Sequence, residues 1–397
     1  MSLRLLTAGE SHGPALTAIL DGMPAGLALD VGVIDHELAR RQQGYGAGPR
    51  MKIEKDHAQI LGGVMEGLTT GAPIALQILN ADHASWKGIA VKQMTTPRPG
   101  HADLTGAVKY SYRDLRPALE RSSARETAAR VAAGAICKHL LATLGIRIGG
   151  YVSVIGSILA EFGDMPFLER FMRAEASDVR CPDKGAAKRM HTEIEEIIRV
   201  KDTLGGIVEV VALDVPAGLG SFMQWDRRLD ARLGAAVLSI QAMKGVEIGD
   251  AFENAHLTGT QAHDAIRLGE DLAGSSRRTD LIRPTNRAGG IEGGISNGEP
   301  IIIRAAMKPI ATTLTPLTTV DLATGNEAPT KYERSDFCPV PRAVPVVEAV
   351  VALILADALI EKIGGDSLME MKPRLEALRK PRLEDLPMDN TEHEWWG

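Results

Sequence analysis

The stretch ALTAILDGMPAGL, residues 15–27, ends in a Pro-Ala-Gly-Leu turn, and the same turn recurs in GIVEVVALDVPAGLG, residues 206–220. Each turn leads into a segment with helical periodicity, which is VIDHELARRQ after the first and LDARLGAAVLSIQAM after the second. The apolar runs before the turns are typical of strands. The repeat therefore predicts two similar halves, about residues 1–190 and 200–365, related by an internal pseudo-twofold axis.

Two further segments predict long buried helices. SSARETAARVAAGAICKHLLATLG, residues 122–145, has alanines at helical spacing, a capping box formed by Ser123 and Glu126, and a glycine stop at Gly145. VPVVEAVVALILADALIEKIGG, residues 344–365, ends at Gly364 and Gly365, and its internal charges favour a core helix over a bilayer span.

The order of these elements predicts the fold class. Strand-like runs occur on both sides of the helices, without the regular βαβ alternation of a parallel sheet. We therefore expect an α/β (α+β) protein, a layered β-α-β sandwich in which two mostly antiparallel sheets enclose buried central helices. Residues 1–365 would form a single catalytic domain, and residues 366–397 a partly flexible C-terminal tail.

Composition and charge narrow the classes of function. The 397 residues carry a net charge of −6, which argues against a nucleic-acid partner, and we expect no membrane partner. Three scattered cysteines, Cys137, Cys181 and Cys338, without metal-ligand spacing, indicate a reducing, cytoplasmic location and no structural metal. Arginines concentrated in a few segments of this acidic chain indicate a small anionic ligand in a focused pocket.

Two histidines stand at predicted corners of the backbone. His12 follows Glu10 and Ser11 between two glycines in GESHG, residues 9–13, although a polar hairpin tip would have the same sequence pattern. His101 lies between Arg98 and Asp103 in RPGHAD. Together they indicate general acid chemistry on a leaving group whose charge is held by arginine.

Two other segments are candidates for ligand binding. Arg121 and Arg125 bracket the predicted helix start in ERSSARET, which favours a bound phosphate or carboxylate, with simple capping as the alternative. NRAGGIEGGISNG, residues 286–298, has enough glycine for backbone amides to approach a ligand, with a flexible loop as the alternative. It lacks the strand-to-helix context of a dinucleotide-binding fingerprint, as does GYGAG at residues 44–48.

Three long segments together resemble the chorismate synthase family. They are GESHGPALTAILDGMPAGL (9–27), ERSSARETAARVAAGA (120–135) and RSDFCPVPRA (334–343), with RPGHADL, DTLGG, AMKGVEIG, GGIEGGISNG and AAMKPI between them in the family's order. The resemblance extends from about residue 5 to about residue 365. It implies a carbon–oxygen lyase of the shikimate pathway that converts 5-enolpyruvylshikimate 3-phosphate to chorismate and phosphate by 1,4-anti elimination. It also implies dependence on reduced FMN and a homotetramer, while NADPH-dependent flavin reduction by the chain stays open.

The resemblance implies roles for individual residues. His12 corresponds to the proton donor for the departing phosphate, His101 to the residue that keeps the reduced flavin protonated, and Ser11, Ser123 and Asp336 to a proton relay. The implied substrate-binding residues are Arg41, Arg50, Met51, Arg98 and Arg125. The implied flavin-binding residues are Arg121, Ser122, Ser123, Gln241, Ala242, Gly293, Lys308, Pro309, Ile310, Ala311, Thr312, Arg334 and Ser335.

One position departs from the family pattern. The family commonly reads Gly-Tyr-Gly-Arg-Gly where this chain has GYGAG, so Ala47 replaces an arginine that would face the substrate or a nicotinamide ligand. Either another arginine compensates, such as Arg50 or Arg287, or the chain is a flavin-binding homologue with reduced or no turnover. A phosphate monoester hydrolase that uses His12 is the remaining enzymatic alternative.

Overall fold

Strands and helices are mixed along the whole chain in the computed structural model, which describes residues 2–47, 55–269, 280–331 and 336–396. The strands are β1 Arg4–Ala8, β2 Ala15–Asp21, β3 Ala58–Gly62, β4 Val64–Met65, β5 Leu68–Thr69, β6 Ile74–Leu79, β7 Arg147–Ile155, β8 Ile158–Leu159, β9 Gly206–Leu213, β10 Met243–Ile248, β11 Arg267–Leu268, β12 Leu281–Ile282, β13 Ile291–Glu292, β14 Ile295–Ser296, β15 Ile301–Met307, β16 Thr318–Asp321 and β17 Asn326–Pro329. The helices are α1 Val31–Gln42, α2 His83–Trp86, α3 Asp103–Tyr110, α4 Arg116–Ser122, α5 Thr127–Thr143, α6 Phe167–Glu175, α7 Lys184–Val200, α8 Leu229–Leu238, α9 Ala251–Asn254, α10 Gly259–Ala262, α11 Val340–Ile363 and α12 Leu368–Glu376.

The two larger sheets are antiparallel, as predicted. One has the strand order β1-β2-β6-β3, and the other has the order β10-β15-β9-β7-β8. The first Pro-Ala-Gly-Leu turn follows β2 and precedes α1, and the second follows β9 and precedes α8. The predicted order of strand, turn and helix is therefore present at both copies of the repeat.

Helices α5 and α11 pack on each other and join the sheets to one core. Helix α5 contacts β2 and β6, and α11 contacts β7 and β9. Their backbones approach closely at Gly134, where an added Cβ would lie 2.5 Å from the Cβ of Ala349. Helix α11 is long and apolar enough to cross a bilayer, but 83% of its most apolar window is buried inside the protein. It is the core helix that the sequence predicts.

The glycine stops are confirmed, but the capping box is wrong. Gly145, Gly364 and Gly365 all have positive φ just beyond the ends of α5 and α11. The Ser123 Oγ atom accepts from the Arg125 N–H in a 3-10 turn, and α5 begins only at Thr127. Glu126 does not reach back to Ser123, because its carboxylate accepts from Arg130 on the next turn and from two side chains distant in the sequence, Thr7 and Gln241.

The C-terminal segment begins with helix α12. Leu368 and Met371 on this helix are buried against the core, and the Leu368 N–H donates to the carbonyl of Ala25 in the first Pro-Ala-Gly-Leu turn (2.8 Å). The start of the expected tail is therefore part of the packed fold.

Candidate active site

A cavity of about 460 Å³ collects most of the predicted site residues. The predicted residues that line it are Ser11, His12, Arg41, Arg98, His101, Ser122, Ser123, Arg125, Gln241, Ala242, Lys308, Ile310, Ala311, Thr312 and Asp336. They come from both copies of the strand-turn-helix repeat and from the segments between and after them. Long-range folding thus brings the two corner histidines and three arginines to one place.

The other predicted residues lie elsewhere. The Arg121 Nη2 atom donates to the carbonyl of Thr7 (3.0 Å). Gly293 lies in the turn between β13 and β14. Neither these two nor Pro309 line the cavity. The remaining four residues, Arg50, Met51, Arg334 and Ser335, fall outside the described residues.

His12 is paired with a carboxylate from a distant segment, not with its neighbour Glu10. The His12 Nδ1 atom lies 2.7 Å from Glu120 Oε1, and the His12 backbone N–H donates to Glu120 Oε2 (2.8 Å). The ring also packs against Trp86, with centroids 4.7 Å apart. Burial acts to raise the pKa of Glu120, but the hydrogen bonds from His12 and the Arg116 charge bring it below its usual value.

His101 is paired with Asp103, which also binds Arg98. Asp103 is fully buried, and its Oδ1 atom lies 2.7 Å from His101 Nδ1. Arg98 donates to both carboxylate oxygens, through Nε at 2.8 Å and Nη2 at 2.9 Å. Although burial acts to raise the pKa of Asp103, the hydrogen bonds and charges of Arg98 and His101 lower it well below its usual range. Asp103 is thus an anion that orients both ligand-facing groups.

Arg125 and Arg41 are held by one buried carboxylate, Asp56. Arg125 Nη1 lies 2.7 Å from both Asp56 oxygens, and its Nε donates to Asn80 (2.9 Å). Arg41 Nη1 lies 3.5 Å from the same carboxylate, and its Nε donates to Thr127 (2.9 Å). Both guanidinium groups are buried in the cavity wall, which keeps their geometry fixed for an anionic ligand.

The three predicted relay residues also lie on the cavity wall. The Ser123 hydroxyl donates to Ser11 Oγ (3.1 Å), so these two form a short hydroxyl chain. Asp336 is ion-paired with Arg342, whose Nε donates to the carbonyl of Arg41 (3.1 Å). The carboxylate is therefore oriented by a residue of the core helix α11.

The wall from the second half has features that suit a ring ligand with N–H groups. Ala242 has a positive φ of 68°, and its carbonyl accepts from the Lys308 N–H (3.0 Å). The Gln241 amide donates to Glu126 (3.3 Å), while Gln241 Oε1 is buried without a hydrogen-bond partner among the described residues. A buried acceptor of this kind is satisfied when a ligand donor occupies the cavity.

Sequence reasoning missed four side chains that shape the site, namely Glu120, Asp56, Trp86 and Arg342. Glu120 is the first residue of the ERSSARET motif quoted above, so the motif itself offered a signal. Asp56 and Trp86 stand in no motif, and their role is visible only from the contacts that they make in the fold.

The position of Ala47 can also be compared with the cavity. Within the described part of the chain, neither Ala47 nor Arg287 is among the lining residues. Arg287 is tied to the loop around Asp264, whose carboxylate accepts from its backbone N–H (2.9 Å). Arg287 therefore lies outside the cavity lining that the described residues form.

The fold and the cavity define an enzyme that handles a small anionic ligand with paired acid–base groups. The chain matches the family model described as chorismate synthase over residues 3–360. It is 52% identical to the chorismate synthase of Trichlorobacter lovleyi over 380 residues, 93% of this chain and 97% of that protein. It is 51% identical to that of Chlorobaculum tepidum, over 95% and 98% of the two chains.

A solved structure agrees with these sequence matches. The crystal structure of a chorismate synthase superimposes with a TM-score of 0.76 at 44% identity, covering 95% of this chain and 97% of that one. The chain therefore belongs to the chorismate synthase family, whose members are carbon–oxygen lyases that use reduced FMN. The resemblance inferred from the motifs is confirmed.

Proposed function

We propose that this chain converts 5-enolpyruvylshikimate 3-phosphate to chorismate and phosphate by 1,4-anti elimination in the cavity described above. The observation that carries this is the meeting of two carboxylate-paired histidines with Arg41, Arg98 and Arg125 in one cavity. A substrate with one phosphate and two carboxylates needs several fixed cations, and buried arginines supply them with directional hydrogen bonds.

His12 is the proton donor to the departing phosphate in this proposal. Its Nδ1 atom is engaged by Glu120, and the proposal assigns the proton transfer to Nε2. His101, held by Asp103, is the second acid group and lines the same cavity as Lys308. Ser11, Ser123 and Asp336 would move the proton that leaves the substrate carbon.

Several residues present fit a flavin. Gln241, Ala242, Lys308, Ile310, Ala311, Thr312, Ser122 and Ser123 would hold it, and the buried Gln241 Oε1 atom suits a flavin N–H. Arg121, Gly293, Pro309, Arg334 and Ser335 stay predictions from the resemblance. When bound, reduced FMN supplies electron density for cleavage of the carbon–oxygen bond, while the protein orients the substrate and excludes water.

The first test is anaerobic release of chorismate and phosphate from the substrate, with reduced FMN present and absent. Turnover only with reduced FMN supports the lyase. Phosphate release without flavin would favour a hydrolase, and flavin binding without turnover would favour a homologue disabled at Ala47. His12→Asn should abolish most of the turnover, whereas His57→Asn, at a histidine whose side chain is 73% exposed, should retain it.

Finer features of the assembly are part of the same proposal. We expect one domain over residues 1–365 with two pseudo-twofold halves, and sheets that enclose α5 and α11 as a layered sandwich. We also expect a cytoplasmic homotetramer without membrane or nucleic-acid partners. Contacts of α5 with the first sheet and of α11 with the second support the sandwich. Light scattering on the purified chain tests the tetramer.

A further inference from the structure

Glu120 makes more contacts with the His12 corner than a surface carboxylate requires. Its two carboxylate oxygens accept from two different groups of His12, the ring Nδ1 and the backbone N–H. Its backbone carbonyl also accepts from the Ser11 N–H (3.3 Å). Glu120 of helix α4 thus binds both Ser11 and His12. Its side chain is only 13% exposed.

The other titratable groups near His12 do not take this role. His83 of α2 directs its Nδ1 atom to the His12 carbonyl (3.0 Å), not to the ring. Asp82, just before α2, accepts from the Trp86 indole N–H (3.2 Å), and Arg116 of α4 acts on Glu120 through its charge. Glu10 stands two residues before His12, but among the described residues the carboxylate that binds the His12 ring is that of Glu120.

We propose that Glu120 is a positioning residue that fixes His12 with Nδ1 toward the protein and Nε2 toward the leaving group. This inference rests on the proposed function of His12 as the proton donor. Glu120 itself does not touch the reacting atoms, since it acts through His12.

Replacement of Glu120 by glutamine makes the proposal testable without turnover. A glutamine side chain has one acceptor oxygen and one NH2 donor group. If the oxygen continues to accept from the His12 backbone N–H, the NH2 group faces Nδ1, which must then carry a lone pair in order to accept from it. The neutral ring would then carry its proton on Nε2. We expect the imidazole ¹⁵N spectrum of His12, assigned with His12→Asn, to change from the Nδ1–H form in the wild type to the Nε2–H form in Glu120→Gln.

The split between kcat and KM gives a second readout that a merely structural role would not move. In Glu120→Gln, kcat should fall by about tenfold while KM stays within about twofold, because the substrate-binding arginines are untouched. Glu120→Asp keeps a carboxylate that can accept from the Nδ1–H group, so its kcat should fall less than that of Glu120→Gln.

Glu10→Gln is the matched control, because it removes a neighbouring negative charge without changing a described contact of the His12 ring. It should leave both the ¹⁵N spectrum and kcat at their wild-type values. A Glu120→Gln variant with the wild-type tautomer and the wild-type kcat would overturn the proposal. If the wild type released no chorismate but the tautomer still changed, the positioning of His12 would stand and the lyase function would fall.

Discussion

A buried ionic cluster between α1, α5 and α11 makes a strong prediction about stability. Glu348 of α11 is fully buried and accepts from Arg40 of α1 through both oxygens (2.6 and 2.9 Å) and from Lys138 of α5 (2.5 Å). Within the described residues the cluster consists of Arg40, Lys138, Arg180, Glu37, Glu175 and Glu348. Three cations thus face three carboxylates.

Glu348→Gln keeps the shape of the side chain but leaves the cluster with an excess positive charge. Breaking a buried pair on one side costs about 3–5 kcal/mol, because the remaining charge stays desolvated. Glu37 and Glu175 still neutralise part of this excess positive charge. We therefore expect the free energy of unfolding to fall by about 3 kcal/mol, the lower end of that range. Glu348→Gln combined with Lys138→Met restores equal charge and should be more stable than Glu348→Gln alone.

Urea unfolding at neutral pH, followed by tryptophan fluorescence, measures this difference. Asp214→Asn is the matched control, because Asp214 pairs with Arg147 at a similar distance (2.7 Å) but both side chains are more than half exposed. An exposed pair contributes about 0–1 kcal/mol. Equal losses for Glu348→Gln and Asp214→Asn would refute the reasoning, as would a double variant less stable than Glu348→Gln.

The same cluster predicts a pH dependence with a definite sign. Burial acts to raise the pKa of Glu348, but the charges of Arg40 and Lys138 lower it overall below its ordinary value of 4.5. A lowered carboxyl pKa means that its ionic contribution is present above about pH 4.5 and is lost as the pH falls toward the lowered value. The stability difference between wild type and Glu348→Gln should therefore shrink below pH 4.5.

Three further predictions concern packing and the cavity. Gly134→Ala should destabilise the protein by about 1–3 kcal/mol, because the added Cβ would overlap Ala349. Gly234→Ala on α8 has open space around the added Cβ and should stabilise the protein by up to about 1 kcal/mol. Thermal unfolding measures both variants, and a lower stability for Gly234→Ala than for Gly134→Ala would contradict this reasoning. Asp103→Asn should raise the substrate KM at least about tenfold, since Arg98 loses its charged anchor, and a KM within twofold of wild type would argue against it. Ala47→Arg should lower the substrate KM, and an unchanged or higher value would show that the missing arginine has no role at this site.

Local sequence signals predicted the elements better than the partners of the site residues. The glycines after α5 and α11 mark where each helix ends, because only the local backbone is involved. The capping box failed for the opposite reason. Glu126 accepts from Arg130 on the next helical turn (2.9 Å), from Thr7 (2.7 Å) and from Gln241 (3.3 Å). Arg130 is a local partner, but Thr7 and Gln241 are distant along the chain, and a window of a few residues does not contain them.

The partner of His12 illustrates the same limit. Glu10 is its neighbour in the sequence, but the carboxylate that binds its ring is Glu120, which α4 brings from 108 residues away. Arg125 was placed correctly at the cavity, yet Asp56, which orients it, stands in a segment with no motif. Motifs thus identified residues that line the cavity. The residues that hold them in place are set by tertiary packing and have weaker sequence signatures.

The His101 wall depends on both halves of the chain. Arg98 donates through Nη1 to Thr312 Oγ1 (3.3 Å), and the Lys308 ammonium donates to the carbonyl of Gly100 (2.6 Å). These bonds join residues more than 200 positions apart and hold the segment that directly precedes His101. Since the corner is held by the first half through Asp103 and by the second half through these bonds, neither half alone can place His101. The two halves must therefore be folded together before the cavity can bind its ligand.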